Sequence, residues 1–209
     1  MTSGIKVDTM QTCMETNEAF AAPVEIALMG ERGFKALFDT ISNPALIVEA
    51  DNPLPPPDPM NEASGIICNS MLGSESTLWT DVHWQSAASY WLQYECQSSI
   101  VSEPCMAKYA LITRPKSMPP LNQFRMGESE DIEPAITLVI QVNGFDPAFA
   151  AGHSTRLRTR PMPFFPVGLS DDFWAQRITQ MRTDPRGVDI LFTHGRQMMF
   201  LPGNRRINC

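Results

Sequence analysis

Long apolar runs, a basic leader and local catalytic signatures are all missing from this chain of 209 residues. No stretch approaches the ~20 consecutive apolar residues that cross a bilayer. The opening MTSGIKVDTMQTC has no basic segment followed by an apolar one, so no secretory signal is expected. The phosphate-cradling GxxxxGKS/T and GxGxxG, the nucleophile elbow GxSxG and the zinc-binding HExxH do not occur, which leaves the common mechanisms with local signatures unsupported. Cysteine is sparse and unpatterned. Cys13, Cys68, Cys96, Cys105 and Cys209 are odd in number and form no CxxC pair, so neither a disulfide framework nor a structural zinc site is expected, and a cytoplasmic setting is. His83, His153 and His194 lie far apart, and no metal is expected. Only four lysines occur, none in a context that announces the desolvated pocket a Schiff base needs.

What is present is a folded-protein composition: 43 % apolar and 19 % charged residues, in a length that suits one domain. The formal charge of −7 gives no overall footprint of a nucleic-acid binder. That charge is unevenly spread. Residues 1–151 carry 7 basic and 19 acidic side chains, whereas residues 152–209 carry 9 basic, all arginine, and 4 acidic. Arginine makes bidentate pairs with carboxylates and phosphates and tolerates interfaces.

The first 24 residues are polar and aperiodic and read as a flexible arm, leaving 25–209 as one domain. Phe34, Leu37, Phe38 and Ile41 recur at helical spacing, and Asn43-Pro44 ends that helix. Ala45–Val48 is a short strand. Asp51–Pro59 (DNPLPPPDP) is a stiff surface connector, since proline offers no N–H. Ala63–Leu72 reads as a helix, Leu78–Val82 as a strand, and Ser86 as the cap of a helix reaching about Gln97. Ile100-Val101 and Lys108–Thr113 are further strands; residues 114–134 form a polar excursion with a helical turn around Leu121–Phe124. AITLVIQV (Ala135–Val142), near-continuous and apolar, suits the middle of a sheet covered on both faces. Arg156–Arg160 is a polar strand candidate. Ser170 caps a helix with Asp171 and Asp172 in its first turn, Phe173, Trp174, Ile178 and Met181 on one side, and Arg177 and Arg182 nearer its end. Gly187–Thr193 and Gln197–Leu201 are strands of a hairpin turning at His194-Gly195. Strands interleaved with helices predict an α/β fold, a three-layer sandwich; the closing hairpin makes its sheet mixed.

Two features stand out as candidate sites. Arg156, Arg158 and Arg160 alternate, so a strand would place all three guanidinium groups on one face. They would meet a phosphate or phosphonate group, an acidic partner surface, or the chain's own surplus acids. Asp189 sits between Val188 and Ile190 in an apolar strand, where a carboxylate must be paired. It is either a polar anchor at a site or interface, or a residue on the outer face or bound to neighbouring backbone. No catalytic residue is assigned. The four tryptophans are explained by packing.

The wording of several segments resembles a known family. GFKALFDTISNPALIVEA (Gly33–Ala50), with Phe34, Leu37, Ser42 and Pro44 in frame, looks like the early helix of PhnH proteins. PRGVDI followed by LFTHGRQMMFLP, with Pro185, Gly187, Val188, Asp189, Leu191 and Pro202, is similar to that family's final hairpin. Ser102–Pro104, the ITLVIQV strand and the terminal RINC also fall into place. The chain departs from the family at Thr159-Arg160-Pro161, in place of a Gly-rich turn, and at Pro202–Arg205, in place of P-R-T-T. The resemblance implies a subunit of the bacterial carbon–phosphorus lyase system for phosphonate catabolism. It implies a fold like the large domain of pyridoxal-phosphate-dependent transferases, without that cofactor. It further implies a homodimer that assembles with PhnG, PhnI and PhnJ, in a complex using ATP to place a phosphonate on ribose before C–P cleavage. An independent enzyme with an Arg-lined anion site is the alternative.

Overall fold

AITLVIQV supplies the middle strand of a seven-stranded mixed sheet. The computed structural model describes residues 22–51, 55–125, 135–147, 163–183 and 187–203. Four helices are found among them: α1 (Ala22–Ser42), α2 (Glu62–Met71), α3 (Ala87–Tyr94) and α4 (Asp171–Thr183). The strands are β1 (Ile47–Glu49), β2 (Thr77–Thr80), β3 (Ser99–Ile100), β4 (Tyr109–Ile112), β5 (Thr137–Gln141), β6 (Gly144–Asp146), β7 (Phe165–Val167), β8 (Asp189–His194) and β9 (Gln197–Leu201). The large sheet runs β1-β9-β8-β5-β4-β2-β3, and β6 and β7 form a separate antiparallel pair. β3, β2, β4, β5 and β8 are parallel neighbours, while β9 turns back against β8 and β1 against β9. Both faces are covered, and the strand period sorts the core in two. Ala110, Ile112, Leu138, Ile140, Ile190 and Phe192 face α4; Leu111, Val139, Leu191, Met198 and Phe200 face α1, α2 and α3. Each of the larger side chains contributes roughly 1.5–3 kcal/mol by leaving water.

The caps expected at Ser86 and Ser170 form, and Asn61 adds a third. Asn61 caps α2 by accepting from Ser64 N–H, Ser86 caps α3 through Ser89 N–H, and Ser170 Oγ accepts from Phe173 N–H. α3 ends at Tyr94, short of Gln97. A short 3₁₀ turn forms at Leu121–Gln123, inside the excursion. The β8–β9 turn lies one residue later than expected, at Gly195-Arg196, because His194 pairs with Gln197; Gly195 takes φ +56°. Pro56 is not a surface spacer. It is buried, and a Cβ on Gly65 would stand 2.7 Å from Pro56 Cγ, so α2 packs directly on the proline-rich segment.

Helix α1 departs most from its sequence pattern. Of the four apolar residues that mark its period, only Leu37 is buried. The inner face is made of Gly33, Ala36, Leu37 and Thr40, because α2 approaches closely: a Cβ on Gly33 would lie 3.0 Å from Ile66 Cγ2. Phe34 and Phe38 point outward, 58 % and 61 % exposed.

Helix α4 reverses the expected roles too. Phe173 and Trp174, expected on one side, are buried there, but Arg177 is only 1 % exposed, packed on the same side. Its Nη2 donates to the Pro202 carbonyl at 2.7 Å, so the guanidinium ties the chain after β9 to the helix.

Candidate functional site

In open α/β sheets ligands gather at the carboxyl ends of the strands, where the connections reverse direction. Here the chain leaves β2 through α3 to β3 on one side, then returns past β2 to β4, β5 and β8 on the other. The reversal therefore lies between β2 and β4. Asp81, the residue after β2, occupies it. Its Oδ1 accepts from Thr113 N–H (2.8 Å) and from the Thr113 hydroxyl (2.9 Å), and its Oδ2 accepts from Arg114 N–H (2.8 Å). Arg114 Nη2 returns a bond to the Asp81 carbonyl at 2.6 Å. The carboxylate is thus spent on joining the ends of β2 and β4.

A second polar assembly sits at the ends of β5 and β8, under the start of α2. Gln141 Oε1 accepts from Asn61 N–H and from Ser64 Oγ, and its Nε2 donates to the Pro59 carbonyl at 2.8 Å. Ser64 Oγ and Thr193 Oγ1 share a hydrogen bond of 2.8 Å, and Asn61 Nδ2 donates to Thr193 Oγ1. Ala63 N–H donates to the Gly195 carbonyl. Among the described residues the Ser64 hydroxyl is bonded to Gln141 and Thr193 and to no histidine or carboxylate, so it links α2 to the ends of β5 and β8. Beside it, Arg196 pairs with Asp51 and Glu62 and donates to the Ala50 carbonyl. His194 is exposed, with Nδ1 3.1 Å from the Val142 carbonyl; a carbonyl only accepts, so in this contact Nδ1 carries the proton.

The sequence candidates fall in different places. Arg156, Arg158 and Arg160, with the strand expected there, lie outside the described residues, as do Cys13, Cys209, His153 and most of the expected N-terminal arm. The segment that carries the arginines is flanked by β6 and β7, which follow the carboxyl end of β5. Asp189 opens β8 at the opposite, amino edge, and its Oδ1 accepts from Gly203 N–H at 2.7 Å. The described structure does not bring Asp189 to the polar assemblies of the carboxyl edge. Gln141 and Asp81 carry those assemblies, and the sequence offers little to find them beyond a polar residue at each strand end.

The remaining reactive groups are quiet. Burial raises the Cys68 thiol well above its ordinary value of 9.0, with nearby Cys96 adding to the shift. Cys96 is pushed up to about 12 by burial and then by Glu95. Thiols held protonated near neutral pH are poor nucleophiles. Lys35, Lys108 and Lys116 are exposed. Among the described residues, no group of three or more His, Cys, Asp and Glu side chains converges as a metal site, and no helix is long and apolar enough to cross a membrane.

The profile of the family described as "Bacterial phosphonate metabolism protein (PhnH)" matches residues 18–208. The chain is also 25 % identical, over 196 residues, to the "Alpha-D-ribose 1-methylphosphonate 5-triphosphate synthase subunit PhnH" of Rhizobium meliloti (strain 1021), covering 90 % of this chain and 94 % of that protein. The chain belongs to the PhnH family of bacterial phosphonate metabolism proteins.

Proposed function

We propose that this chain is an accessory subunit of the bacterial carbon–phosphorus lyase system, working in the cytoplasm as a homodimer and with PhnG, PhnI and PhnJ. In that role it supports the ATP-dependent transfer of a phosphonate to ribose that precedes C–P cleavage, without a complete active site or pyridoxal phosphate of its own. Its fold is then a relative of the large domain of pyridoxal-phosphate-dependent transferases. The observation that carries this reading is the end-to-end likeness to a protein named as a synthase subunit, which spans 94 % of that protein's length. The engagement of Asp81, Gln141 and Ser64 in bonds that hold the sheet's carboxyl edge together agrees with a part whose work lies in assembly.

Arg156, Arg158 and Arg160 are proposed as the contact to an acidic partner surface or to an anionic substrate group, with Asp189 as an anchor near the chain's end. Tagged chain co-expressed with the three partners tests this. Co-purification of all of them supports the reading, and a complex that assembles fully without this chain contradicts it. Replacing Arg158 and Arg160 by Ala is expected to weaken that co-purification; intact assembly with lost binding of ATP or phosphonate would favour an independent anion-binding enzyme.

A further inference from the structure

Packing does not explain Trp84. Its indole is 70 % exposed, whereas Trp79, Trp91 and Trp174 are buried or half-buried. Trp84 stands in the turn from β2 to α3, on the carboxyl edge of the sheet, where the connections reverse direction. That turn is held in place: Gln85 N–H donates to His83 Nδ1 at 3.2 Å, and Ser86 N–H to the His83 carbonyl at 2.9 Å. The exposed His83 ring lies 6.1 Å from the indole and is tilted to it by 30°. Because its Nδ1 accepts, the ring proton sits on Nε2.

The exit of β4 lies beside this turn and supplies charge of one sign. Asp81 accepts from Thr113 and Arg114, and Arg114 Nη2 reaches back to the Asp81 carbonyl, so that guanidinium lies at the exit of β2. Lys116 follows in a 3₁₀ turn, Pro115–Ser117, held by Ser117 N–H on the Arg114 carbonyl. Both cations are exposed, and neither connection, 82–86 or 114–117, carries an acidic residue. The Asp81 side chain is 8 % exposed and already holds three donors. In a chain of net charge −7, two cations with no exposed acid on the same connections mark a place for an anion.

We propose that this edge binds a nucleoside triphosphate, with the base on Trp84 and the phosphates on Arg114 and Lys116. An exposed indole offers a flat apolar face on which any base can stack. Arginine and lysine offer charge-assisted donors to phosphate oxygens, the arginine through a planar fork. His83 Nε2–H and the exposed Gln85 add polar groups for the ribose and the base edge. The spacing suits one ligand that has both parts. Trp84 follows Asp81 by three residues, so its Cα lies within about 11 Å of the Asp81 Cα, and the Arg114 guanidinium is bonded to the Asp81 carbonyl. A base and its phosphate chain span such a gap. A free phosphate would leave the indole unused, and a neutral ring would leave the cations unused. The site gives this chain a ligand of its own, and the choice of ATP as its probe rests on the accessory-subunit reading above.

Titration calorimetry of the full chain with ATP, adenosine and inorganic tripolyphosphate tests it, with thermal unfolding and co-purification with PhnG, PhnI and PhnJ followed in parallel. ATP is expected to bind more tightly than either of its parts. Trp84→Ala should weaken ATP roughly fivefold to a hundredfold, as the loss of one stacked base does, and leave tripolyphosphate unchanged. Trp84→Phe keeps an aromatic face and should retain most of the affinity. Arg114→Ala/Lys116→Ala should weaken ATP and tripolyphosphate alike, by about tenfold or more, and flatten the dependence of binding on salt. All three residues are exposed, so these variants should stay folded. A wild type that co-purifies with the other subunits yet binds no ATP would overturn the site and leave the accessory-subunit reading intact. ATP binding that survives these changes and is lost in Arg158→Ala/Arg160→Ala would also overturn it. Binding with the expected losses, by a chain that fails to co-purify, would support the site and contradict the accessory-subunit reading.

Discussion

Asp81 Oδ1 accepts both the backbone N–H and the hydroxyl of Thr113, at 2.8 and 2.9 Å, joining the ends of two parallel strands where the sheet reverses direction. With Arg114 N–H on Oδ2, one carboxylate satisfies three donors beside the core. Asp81→Ala leaves these donors without it and is expected to cost about 2–4 kcal/mol in urea unfolding. Arg114→Ala should cost much less, since its side chain is 69 % exposed and solvent screens the pair.

The contact of Gly65 with Pro56 makes a second test. A methyl group at Gly65 would gain helix propensity of about 1 kcal/mol, but it would stand 2.7 Å from a ring carbon held in a rigid proline-rich segment. Overpacking wins, and Gly65→Ala is expected to lose about 1–2 kcal/mol net, read as a lower melting temperature.

Arg177 and Asp189 hold adjacent residues of the same strand exit, Pro202 and Gly203. Arg177→Ala, which empties a fully buried position, is expected to cost about 3 kcal/mol, and Asp189→Ala about 1 kcal/mol. Because either change frees the same segment, the double variant should lose less than the sum by about 0.5 kcal/mol or more in a double-mutant cycle.

The buried thiols give a pH dependence with a definite sign. Their folded values lie above the ordinary 9.0, so the unfolded chain releases these protons first. Their contribution to stability is full below pH 9 and is lost as pH rises toward about 12. Stability measured from pH 8 to pH 11 should fall, and Cys68→Ala/Cys96→Ala should flatten that fall. In the native protein at pH 8, exposed Cys105 should be alkylated well before Cys68 and Cys96, as peptide mapping by mass would report.

Legibility followed the physics of each element. Ala135–Val142 was readable as the middle of a sheet because a strand covered on both faces has no polar side, and the hairpin was readable from two apolar runs around a glycine. The orientation of α1 was not. Periodicity marks the apolar positions, but the inner face was decided by how closely α2 approaches at Gly33, which favours the small residues and turns the phenylalanines out. In the sequence Arg177 is simply a charge near a helix end, whereas its place on the Phe173–Trp174 side and the Pro202 carbonyl draw it inside. β6 and β7 carry no period at three residues each, and Pro166 in β7 argues against a strand until its edge position is known. The polar links at Asp81 and Gln141 join residues 32 and 77–82 positions away, a pairing that only the fold supplies.

The most direct test of the whole account is growth on methylphosphonate as the sole source of phosphorus, in the native host with this gene deleted. The account predicts no growth on methylphosphonate, normal growth on inorganic phosphate, and recovery when the chain is supplied again. Unimpaired growth of the deletion strain on methylphosphonate would contradict a role in phosphonate breakdown.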